Sequence, residues 1–388
     1  MHRITLIITL FLLIPDIYIY FVYIVQKTNN KFVRYAYWLP TFLLAAVYLY
    51  LIYLTGDNVM SNHTQAIGKL AIGIMLFAFP KTIFMLCSCI GVCIHFVLHR
   101  CPRSPFTGFG LIVSIISFFN ILYGALIGIT RFEVKETEYH SADIPKGFDG
   151  YRIVQISDIH IGSWQDNPEP IKRMVEMVNA QKPNLIVFTG DLVNQKGYEI
   201  DGFQDILSQL HAPDGVYSIL GNHDYGTYYH WKNQKAEIAN LDYLIRQQKA
   251  MGWKLLNNEH DILHHKGDSI ALIGVENDGE PPFSQFSDLS RAMQGTDGMF
   301  QILLSHNPTH WRREILPQST ISLMLAGHTH AMQGILFGHS LAELIYPEWR
   351  GMYYEGNRAL YVNIGIGYVG LPFRFGAWPE ITVLTLRK

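Results

Sequence analysis

The first third of the chain contains four long apolar stretches, which constrain its fold more than any other feature. They cover about residues 4–25, 37–54, 70–98 and 106–129, and each is long enough to cross a bilayer as a helix. Only two acidic residues, Asp16 and Asp57, precede residue 131. We therefore expect residues 1–130 to form a bundle of about four transmembrane helices in a multi-pass protein of the cell membrane.

Two of these stretches contain residues that complicate the interpretation. Pro80 interrupts the third, so residues 66–98 form either one kinked helix or an interfacial piece before a shorter span that starts near Thr82. Asp16 lies near the middle of the first stretch. We expect a packing role for it, because Asp16, Lys69 and Lys81 show no pattern of paired intramembrane charges. A transport function is therefore disfavoured.

Basic residues are distributed unevenly among the loops between the stretches. The first and third loops carry Lys27, Lys31, Arg34, Arg100 and Arg103, whereas the second has no basic residue before Lys69. The positive-inside rule places loops one and three in the cytoplasm. Both termini, and the whole chain after the fourth stretch, are then expected to be extracytoplasmic.

The cysteines and the net charge exclude some functions. All four cysteines, Cys87, Cys89, Cys93 and Cys101, lie in or beside the third apolar stretch. Their spacing does not match the usual zinc sites, so we expect packing roles and neither a metal site nor a disulfide. The net charge of −2 gives no indication of a nucleic-acid partner.

Residues 131–388 have the pattern of a globular α/β domain. Helical patterns occur at residues 168–180, 204–210 and 231–251. Strand patterns occur at residues 132–139, 152–156, 184–188, 215–220, 254–256, 269–275, 300–304, 322–325, 360–364 and 380–386. Strands and helices alternate at first, and strands dominate later. This order favours a two-sheet α/β sandwich flanked by helices over a single doubly wound sheet.

Polar side chains follow five of these apolar runs. They are Asp158 with His160, Asp191, Asn222 with His223 and Asp224, His306, and His328 with His330. Because strand ends are where open α/β sheets bind ligands, we expect the five groups to converge on a pair of metal ions. Asp158 and His160 are expected to alternate on one strand end and lean to the same side. Mixed oxygen and nitrogen donors without thiolate suit manganese, iron or zinc.

This set of motifs resembles the calcineurin-like metallophosphoesterase family. Its blocks are Asp-x-His at residue 158, Gly190-Asp191, Gly221-Asn222-His223-Asp224, His306 and Gly-His-Thr-His at residue 327. The resemblance covers residues 151–388 and is closest to the membrane-anchored bacterial branch. Ala331-Met332-Gln333 stands where that branch commonly has Gly-Gly-Gln. Asn363-Ile364 stands where many relatives have an arginine before the following glycine, so no role for such an arginine can be transferred.

The resemblance implies a role for each of nine residues. Asp158, His160, Asp191 and His330 would hold one divalent metal ion, and Asp191, Asn222, His306 and His328 the other. His223 would donate a proton to the leaving oxygen, and Asp224 would orient His223. The implied reaction is the hydrolysis of a phosphomonoester, phosphodiester or pyrophosphate bond by a hydroxide that bridges the metals. A lipid-linked phosphoester is one option for the substrate.

Two alternatives to this function stay open. One is a UDP-2,3-diacylglucosamine-type pyrophosphate hydrolase of lipid A synthesis, which the resemblance also suggests. The other belongs to a different class, a receptor or scaffold that binds metal without turnover. All seven implied ligand residues are present, which argues against the second alternative.

Several other residues have weaker indications. We expect surface or packing roles for His211, His230, His264, His265 and His310. Arg374 and Gln333 are candidates for substrate contact. The aromatic residues Tyr225, Tyr228, Tyr229 and Trp231 either line a substrate opening or pack in the core. Residues 338–358 have the pattern of an apolar loop, either a cap over the site or a surface that dips into lipid.

Overall fold

The structure is a computed structural model that describes residues 2–55, 64–98 and 104–388. It divides into two compact units. One unit comprises Met1–Ile127 and Gly370–Phe373, and the other comprises Gly128–Val369 and Arg374–Lys388. The long apolar helices belong to the first unit, and both β-sheets belong to the second.

Four long apolar helices dominate the first unit. They are α1 (His2–Ile19), α2 (Leu39–Thr55), α3 (Thr64–Leu98) and α4 (Ser104–Leu126). A wider turn at Tyr20–Ile24 extends α1, and a short helix, Lys31–Ala36, precedes α2. Four candidate spans, Leu6–Lys27, Lys31–Leu51, Thr64–Val97 and Pro105–Thr130, are long and apolar enough to cross a membrane. The prediction of four N-terminal transmembrane helices is confirmed.

The third apolar stretch forms one helix. α3 runs through Pro80 without a break. Of the two alternatives for this stretch, the single helix is therefore the correct one for residues 64–98. Ser114 Oγ of α4 lies 2.7 Å from the carbonyl oxygen of Pro80, which gives the backbone a polar partner at this proline. Cys87, Cys89 and Cys93 are free thiols along α3.

The sequence shows no pattern of paired intramembrane charges, but the structure pairs Asp16 with Lys81. Lys81 Nζ of α3 lies 2.6 Å from Asp16 Oδ1 of α1. Tyr37 donates to the same carboxylate at 2.8 Å, and Thr41 of α2 donates to its other oxygen. Asp16 is fully buried. The positions are 65 residues apart in sequence, so the pairing becomes visible only when the helices are placed side by side.

Of the basic loop residues on which the predicted orientation depends, Arg100 and Arg103 lie outside the described residues, as do Asp57 and Cys101. The structure contains no membrane and does not test the side on which either loop lies. An extracytoplasmic location of residues 131–388 therefore stays a prediction.

Two six-stranded sheets form the second unit, which confirms the predicted two-sheet sandwich. The strands are β1 (Glu133–His140), β2 (Arg152–Ile156), β3 (Leu185–Phe188), β4 (Val216–Ser218), β5 (Lys254–Leu255), β6 (Glu259–His265), β7 (Asp268–Gly274), β8 (Gln301–Leu304), β9 (Leu323–Ala326), β10 (Gly351–Glu355), β11 (Arg358–Val362) and β12 (Glu380–Arg387). One sheet has the order β1-β12-β2-β3-β4-β5, and the other β10-β11-β9-β8-β7-β6.

Alternating side chains of the strands face different layers of the sandwich. In β2, Ile153 belongs to the core shared by both sheets, where it joins Leu272 of β7. Its neighbour Val154 faces the other way and joins residues of α5 (Glu169–Ala180). α5 buries Ile171, Met174, Val175 and Val178, the spacing of one helix face. A longer helix, α6 (Gln234–Ala250), begins at the Asn233 cap.

Two strands were missed by the sequence analysis. β6 has the sequence Glu-His-Asp-Ile-Leu-His-His and lies at a sheet edge, so its composition lacks the apolar alternation of a buried strand. β10 lies inside the segment predicted as an apolar loop, which also contains a 3₁₀ helix at Leu341–Leu344. Hydrogen bonding to β11 fixes β10 as the opposite edge of the same sheet.

Candidate metal centre

The candidate site lies where five strands end. β2, β3 and β4 are parallel neighbours in one sheet, and β8 and β9 are parallel neighbours in the other. The loops after these strands carry the predicted residues. Asp158 and His160 follow β2, Asp191 follows β3, Asn222 to Asp224 follow β4, His306 follows β8, and His328 and His330 follow β9. The two sheets thus supply the site from the same ends of their parallel strands, as open α/β sheets do.

Five of these residues have a left-handed backbone. The φ angles are 51° for Asp158, 47° for His160, 61° for Asp191, 75° for His328 and 49° for His330. The prediction that Asp158 and His160 alternate on a strand is therefore wrong, because β2 ends at Ile156 and both residues lie in the turn beyond it. This conformation is rare for residues with a side chain, and it concentrates at functional sites.

The first group consists of Asp158, His160 and His330, whose possible ligand atoms lie within 4.8 Å of one another. His160 Nε2 is 3.1 Å from His330 Nε2, and His330 Nε2 is 3.3 Å from Asp158 Oδ1. Asp158 and His160 are fully buried. One carboxylate and two imidazoles in this arrangement are a donor set that suits zinc, iron or manganese.

The second group consists of Asp191, His306 and His328, again with possible ligand atoms within 4.8 Å. His306 Nε2 lies 3.2 Å from Asp191 Oδ2, and His328 Nδ1 lies 3.3 Å from His306 Nε2. The same Asp191 Oδ2 is 3.7 Å from His160 Nε2 of the first group. Asp191 therefore lies between the two groups, where a bridging carboxylate of a dinuclear centre belongs.

Asn222 supplies an independent test of whether the site suits a cation. Its Oδ1 is buried and has no hydrogen-bond partner among the described residues, while its Nδ2 donates to Tyr228 Oη at 2.9 Å. A buried amide oxygen without a partner is costly. A metal ion would satisfy this oxygen, so the residues present fit the cations that their chemistry suggests.

Neighbouring groups orient the histidine rings. His306 Nδ1 lies 2.7 Å from the Thr189 carbonyl oxygen, so it donates there and presents Nε2 towards Asp191. His328 Nε2 lies 3.0 Å from Tyr346 Oη, which leaves Nδ1 facing His306. Such contacts fix the tautomer and the angle of a metal-ligating imidazole.

His223 and Asp224 lie beside the two groups, but they interact differently from the prediction. The His223 ring centroid is 4.9 Å from that of His160. Its Nδ1 lies 2.6 Å from the Asn194 carbonyl oxygen, so Asn194 and not Asp224 orients the ring. The Asp224 carboxylate instead accepts four backbone N–H groups, from Asp191, Leu192, Val193 and Gly221. Asp224 therefore shapes the loop that carries Asp191.

Burial and the crowded charges change the pKa values of the site in opposite directions. Burial lowers the pKa of His328 to about 3, and the charge of His306 adds to this effect. Burial also lowers the pKa of His306, but Asp191 and Asp158 outweigh it and raise the value to about 9. Burial, reinforced by the charge of Asp191, raises the pKa of Asp224 to about 7, although hydrogen bonds from the Gly221 and Val193 N–H groups act in the opposite direction. A cation bound here would compete with the proton on His306.

Two residues suggested as substrate contacts have structural roles instead. Arg374 is fully buried, and its guanidinium donates to the carbonyl oxygens of Ile364, Gly367 and Ala377. Its Nη2 also lies 3.0 Å from His330 Nδ1, so it supports a candidate ligand from behind. Gln333 Oε1 accepts the backbone N–H of Val369. The contacts given for both side chains are therefore made within the protein.

The aromatic residues after Asn222 divide between the two roles that the sequence left open. The Tyr228 ring lies 4.7 Å from the His223 ring and is partly exposed, as a residue at a substrate opening would be. Tyr225 is buried and hydrogen-bonded to Glu276, which is a packing role.

A third cluster of possible ligands comprises Asp278, His310 and Glu314 and shares no residue with the two groups. His310 contacts Ser305 Oγ at 2.9 Å and Glu314 at 2.8 Å, and Arg313 pairs with Asp278. The guanidinium already supplies the positive charge, so this cluster is an ion-pair network. The packing role expected for His310 agrees with these contacts.

Sequence reasoning missed three residues of the site. Asn194 lies three positions after Asp191 and could have been included with that motif. Tyr346 has no sequence signal, because it reaches His328 from 18 residues away. Phe283, whose ring lies 4.6 Å from that of His328, comes from the segment after β7 and likewise has none.

A two-sheet α/β domain with two adjacent carboxylate–histidine groups at its strand ends is the arrangement of a dinuclear metal hydrolase. Comparison with known proteins agrees. Residues 151–332 match the family model described as calcineurin-like phosphoesterase. Residues 2–129 match the model described as probable calcineurin-like phosphoesterase, transmembrane domain.

Three relatives illustrate the similarity. The uncharacterized metallophosphoesterase YkuE of Bacillus subtilis is 35% identical over 270 residues, which cover 66% of this chain and 86% of the relative. The transmembrane protein with metallophosphoesterase domain of Danio rerio is 30% identical, with 72% of this chain and 62% of the relative covered. An uncharacterized metallophosphoesterase of Aquifex aeolicus is 29% identical, with 70% of this chain and 98% of the relative covered. The chain belongs to the calcineurin-like metallophosphoesterase family, and it is a membrane-associated, metal-dependent phosphoesterase.

Proposed function

We propose that this chain is a membrane-tethered phosphoesterase that uses two divalent metal ions to hydrolyse a phosphomonoester, phosphodiester or pyrophosphate bond. Asp158, His160, Asp191 and His330 would hold one ion. Asp191, Asn222, His306 and His328 would hold the other. The observation that carries the proposal is the position of Asp191 Oδ2, 3.7 Å from His160 Nε2 and 3.2 Å from His306 Nε2. In this proposal residues 1–130 form the membrane domain and residues 131–388 the catalytic domain.

The two ions would lower the pKa of a water molecule and neutralise charge on the phosphate oxygens. Their identity is manganese, iron or zinc by donor type. The protein contributes the geometry. His306 and His328 enter from the second sheet with rings already fixed by Thr189 and Tyr346. Such preorganisation avoids a cost of reorientation during the reaction.

His223 is the candidate general acid. Because its Nδ1 is engaged by the Asn194 carbonyl oxygen, the ring offers Nε2 to a leaving oxygen. Its backbone N–H also donates to Asp191 Oδ1 at 2.8 Å, which ties the acid to the bridging carboxylate. Asp224 acts as a positioning residue through the backbone of residues 191–193.

The substrate class is a phosphoester, and a lipid-linked phosphoester is the option that suits an enzyme tethered to a bilayer. The UDP-2,3-diacylglucosamine-type pyrophosphate hydrolase stays a prediction from the sequence. A receptor or scaffold without turnover is disfavoured, because every implied ligand type is present and the groups come together.

Turnover by the full chain in lipid nanodiscs tests the proposal. With Mn²⁺, the protein should hydrolyse nitrophenyl phosphate or bis-nitrophenyl phosphate, and Asp191→Ala should lose the activity because both ions lose a ligand. His310→Gln is the matched control, a buried histidine outside the site, and it should retain activity. Full activity of Asp191→Ala would refute the assignment. Metal binding without turnover of any phosphoester would favour the receptor alternative.

A further inference from the structure

A cluster of exposed apolar side chains lies next to the second candidate metal group. Its members, here called the apolar ridge, are Leu336, Phe337, Leu341, Leu344 and Ile345. Phe337 is 93% exposed and Leu344 is 82% exposed. Tyr346, which contacts His328 at 3.0 Å, directly follows the ridge in sequence. Large side chains exposed as a group usually mark an interaction surface.

The turn at the tip of the ridge has a backbone conformation that is unfavourable for phenylalanine, the residue found there. Leu336 and His339 exchange backbone hydrogen bonds of 2.9 and 3.0 Å around a two-residue turn. Phe337 and Gly338 occupy this turn with φ angles of 52° and 87°. Asparagine and glycine are the residues that such a turn prefers. An aromatic side chain in a left-handed conformation at the most exposed position therefore indicates a function other than folding.

The second half of the ridge is rigid. Leu341–Leu344 is a 3₁₀ helix, in which residues three apart share a face, so Leu341 and Leu344 point the same way. Ser340 caps this helix and also donates to the Ala331 carbonyl oxygen at 2.6 Å. Ala342, between the two leucines, is fully buried and anchors the helix. The apolar side chains are therefore presented outward from a fixed support.

We propose that the apolar ridge inserts into the surface of the lipid bilayer that holds the chain's own helices. The chain itself brings a bilayer close, because the candidate span ending at Thr130 is followed at Glu133 by β1. Aromatic and aliphatic side chains beside a basic residue are the composition of membrane-interface surfaces. Arg350 is that residue, since its guanidinium donates to the Gly338 carbonyl oxygen at the base of the turn.

If the ridge enters the bilayer, the enzyme should prefer phosphoesters whose phosphate lies at the bilayer surface. This consequence rests on the proposed function. A ridge that enters lipid beside Tyr346 and His328 presents the metal centre to headgroups. Contact with the bilayer itself does not depend on catalysis, so the two claims can fail separately.

Quenching by lipid tests the contact in the full chain, after its four cysteines are replaced. A fluorescent label on Leu341→Cys is compared with one on Ile238→Cys, an exposed isoleucine of α6. In nanodiscs of phosphatidylcholine and phosphatidylglycerol with nitroxide-bearing acyl chains, we expect strong quenching at residue 341 and little at residue 238. Equal quenching at both positions, or none at residue 341, would overturn the inference. If the label becomes buried only as the protein concentration rises, and is not quenched by lipid, the ridge binds a second copy of the chain. That result would also overturn the inference.

Phe337→Asn supplies a variant that keeps the fold. Asparagine suits the turn, so the melting temperature should not fall, and hydrolysis of soluble nitrophenyl phosphate should be unchanged. Quenching at residue 341 should nevertheless drop by roughly half or more, because the largest apolar side chain of the ridge is gone. Unchanged quenching in this variant would contradict the inference. If the unaltered protein shows no turnover but the label at residue 341 is quenched, the proposed function fails and the ridge assignment holds.

Discussion

At the metal centre, single residues adopt backbone conformations that side chains normally avoid. Asp158, His160, Asp191, His328 and His330 all have positive φ angles. Each costs about 1 kcal/mol or more relative to an ordinary conformation. Hydrogen bonds between the loops offset part of this cost, as when His160 N–H donates to the Asp191 carbonyl oxygen at 3.1 Å. These turns direct the five side chains towards the candidate metal centre.

Gly221 shows how tightly these loops fit. A Cβ atom added there would meet the Asp191 backbone nitrogen at 2.5 Å and its Cγ at 2.7 Å. We expect Gly221→Ala to displace the Asp191 carboxylate and lower metal affinity by tenfold or more, about 1.4 kcal/mol, measured by metal titration of the full chain. Gly334→Ala is the control, because the nearest atom to its added Cβ is 3.9 Å away. Equal affinities in both variants would contradict this description of the packing.

His223 gives a second prediction at this scale. If its imidazole protonates the leaving oxygen, His223→Gln should slow the hydrolysis of an alkyl phosphate by about 10²–10⁴-fold. A nitrophenyl phosphate should be affected less, because nitrophenolate leaves without a proton. The comparison of kcat for the two substrates is the measurement, and equal losses would exclude an acid role.

The sequence indicated the residue types of the site, because metal ligands after apolar runs are a local pattern. It did not indicate their partners. Asp224 was expected to orient His223, yet its carboxylate binds the backbone of residues 191–193, and Asn194 contacts the ring. Hydrogen-bond partners depend on how loops fold back, and spacing alone does not determine that.

At the scale of elements, the connections that matter join segments distant in sequence. Asp16 of α1 meets Lys81 of α3 at 2.6 Å and Thr41 of α2, so one carboxylate joins three helices. In the sequence these charges looked isolated. Which side chains of two helices meet depends on how the helices pack, and the sequence pattern does not show that. β6 and β10 were missed for a similar reason, since each is defined by its neighbouring strand more than by its own composition.

The Asp16–Lys81 pair should behave as a buried ion pair. Lys81→Met leaves the carboxylate without its counter-charge, and we expect a loss of about 3 kcal/mol in bundle stability. Replacing both residues, in Asp16→Leu with Lys81→Met, should restore most of it, because no buried charge remains. Melting of the full chain in detergent micelles across this double-mutant cycle provides the measurement, and additive losses would contradict the pairing.

The turn Gly197–Ile200 gives a prediction about pH. Burial raises the pKa of Glu199 to about 7 against hydrogen bonds from Asn194 N–H at 2.6 Å and Lys196 N–H at 3.1 Å. A raised carboxyl pKa adds stability that is complete below the unfolded value of about 4.5 and is lost as the pH rises through about 7. Glu199→Gln lacks this titration, so its melting temperature relative to the unaltered chain should rise between about pH 5 and about pH 8. A constant difference would show that Glu199 does not titrate in this range.

At the scale of the whole molecule, two family models together account for most of the chain, an N-terminal membrane part and a phosphoesterase part. The two-sheet architecture and the four helices could be predicted because both follow from the order and period of apolar residues. The side of the membrane on which catalysis occurs depends on a few charges in short loops, and it stays a prediction from the sequence.

Orientation decides which substrates can reach the site. The distribution of basic loop residues predicts that the C-terminus is extracytoplasmic. A phosphatase reporter fused after Lys388, active only outside the cytoplasm, should therefore be active, while a fluorescent reporter that matures only inside should be dark. The reverse result would place catalysis in the cytoplasm and make nucleotide-linked phosphoesters accessible.

The central claim is that loops from five strands and two sheets hold two metal ions through one shared carboxylate. The most direct test is the metal content of the purified full chain by elemental analysis, for the unaltered protein, Asn222→Ala and Asp191→Ala. The account predicts two equivalents per chain in the unaltered protein, one in Asn222→Ala and a loss of both in Asp191→Ala, with His310→Gln unchanged. Equal metal content in all four proteins, or none in the unaltered chain after incubation with Mn²⁺, Fe²⁺ and Zn²⁺, would contradict it.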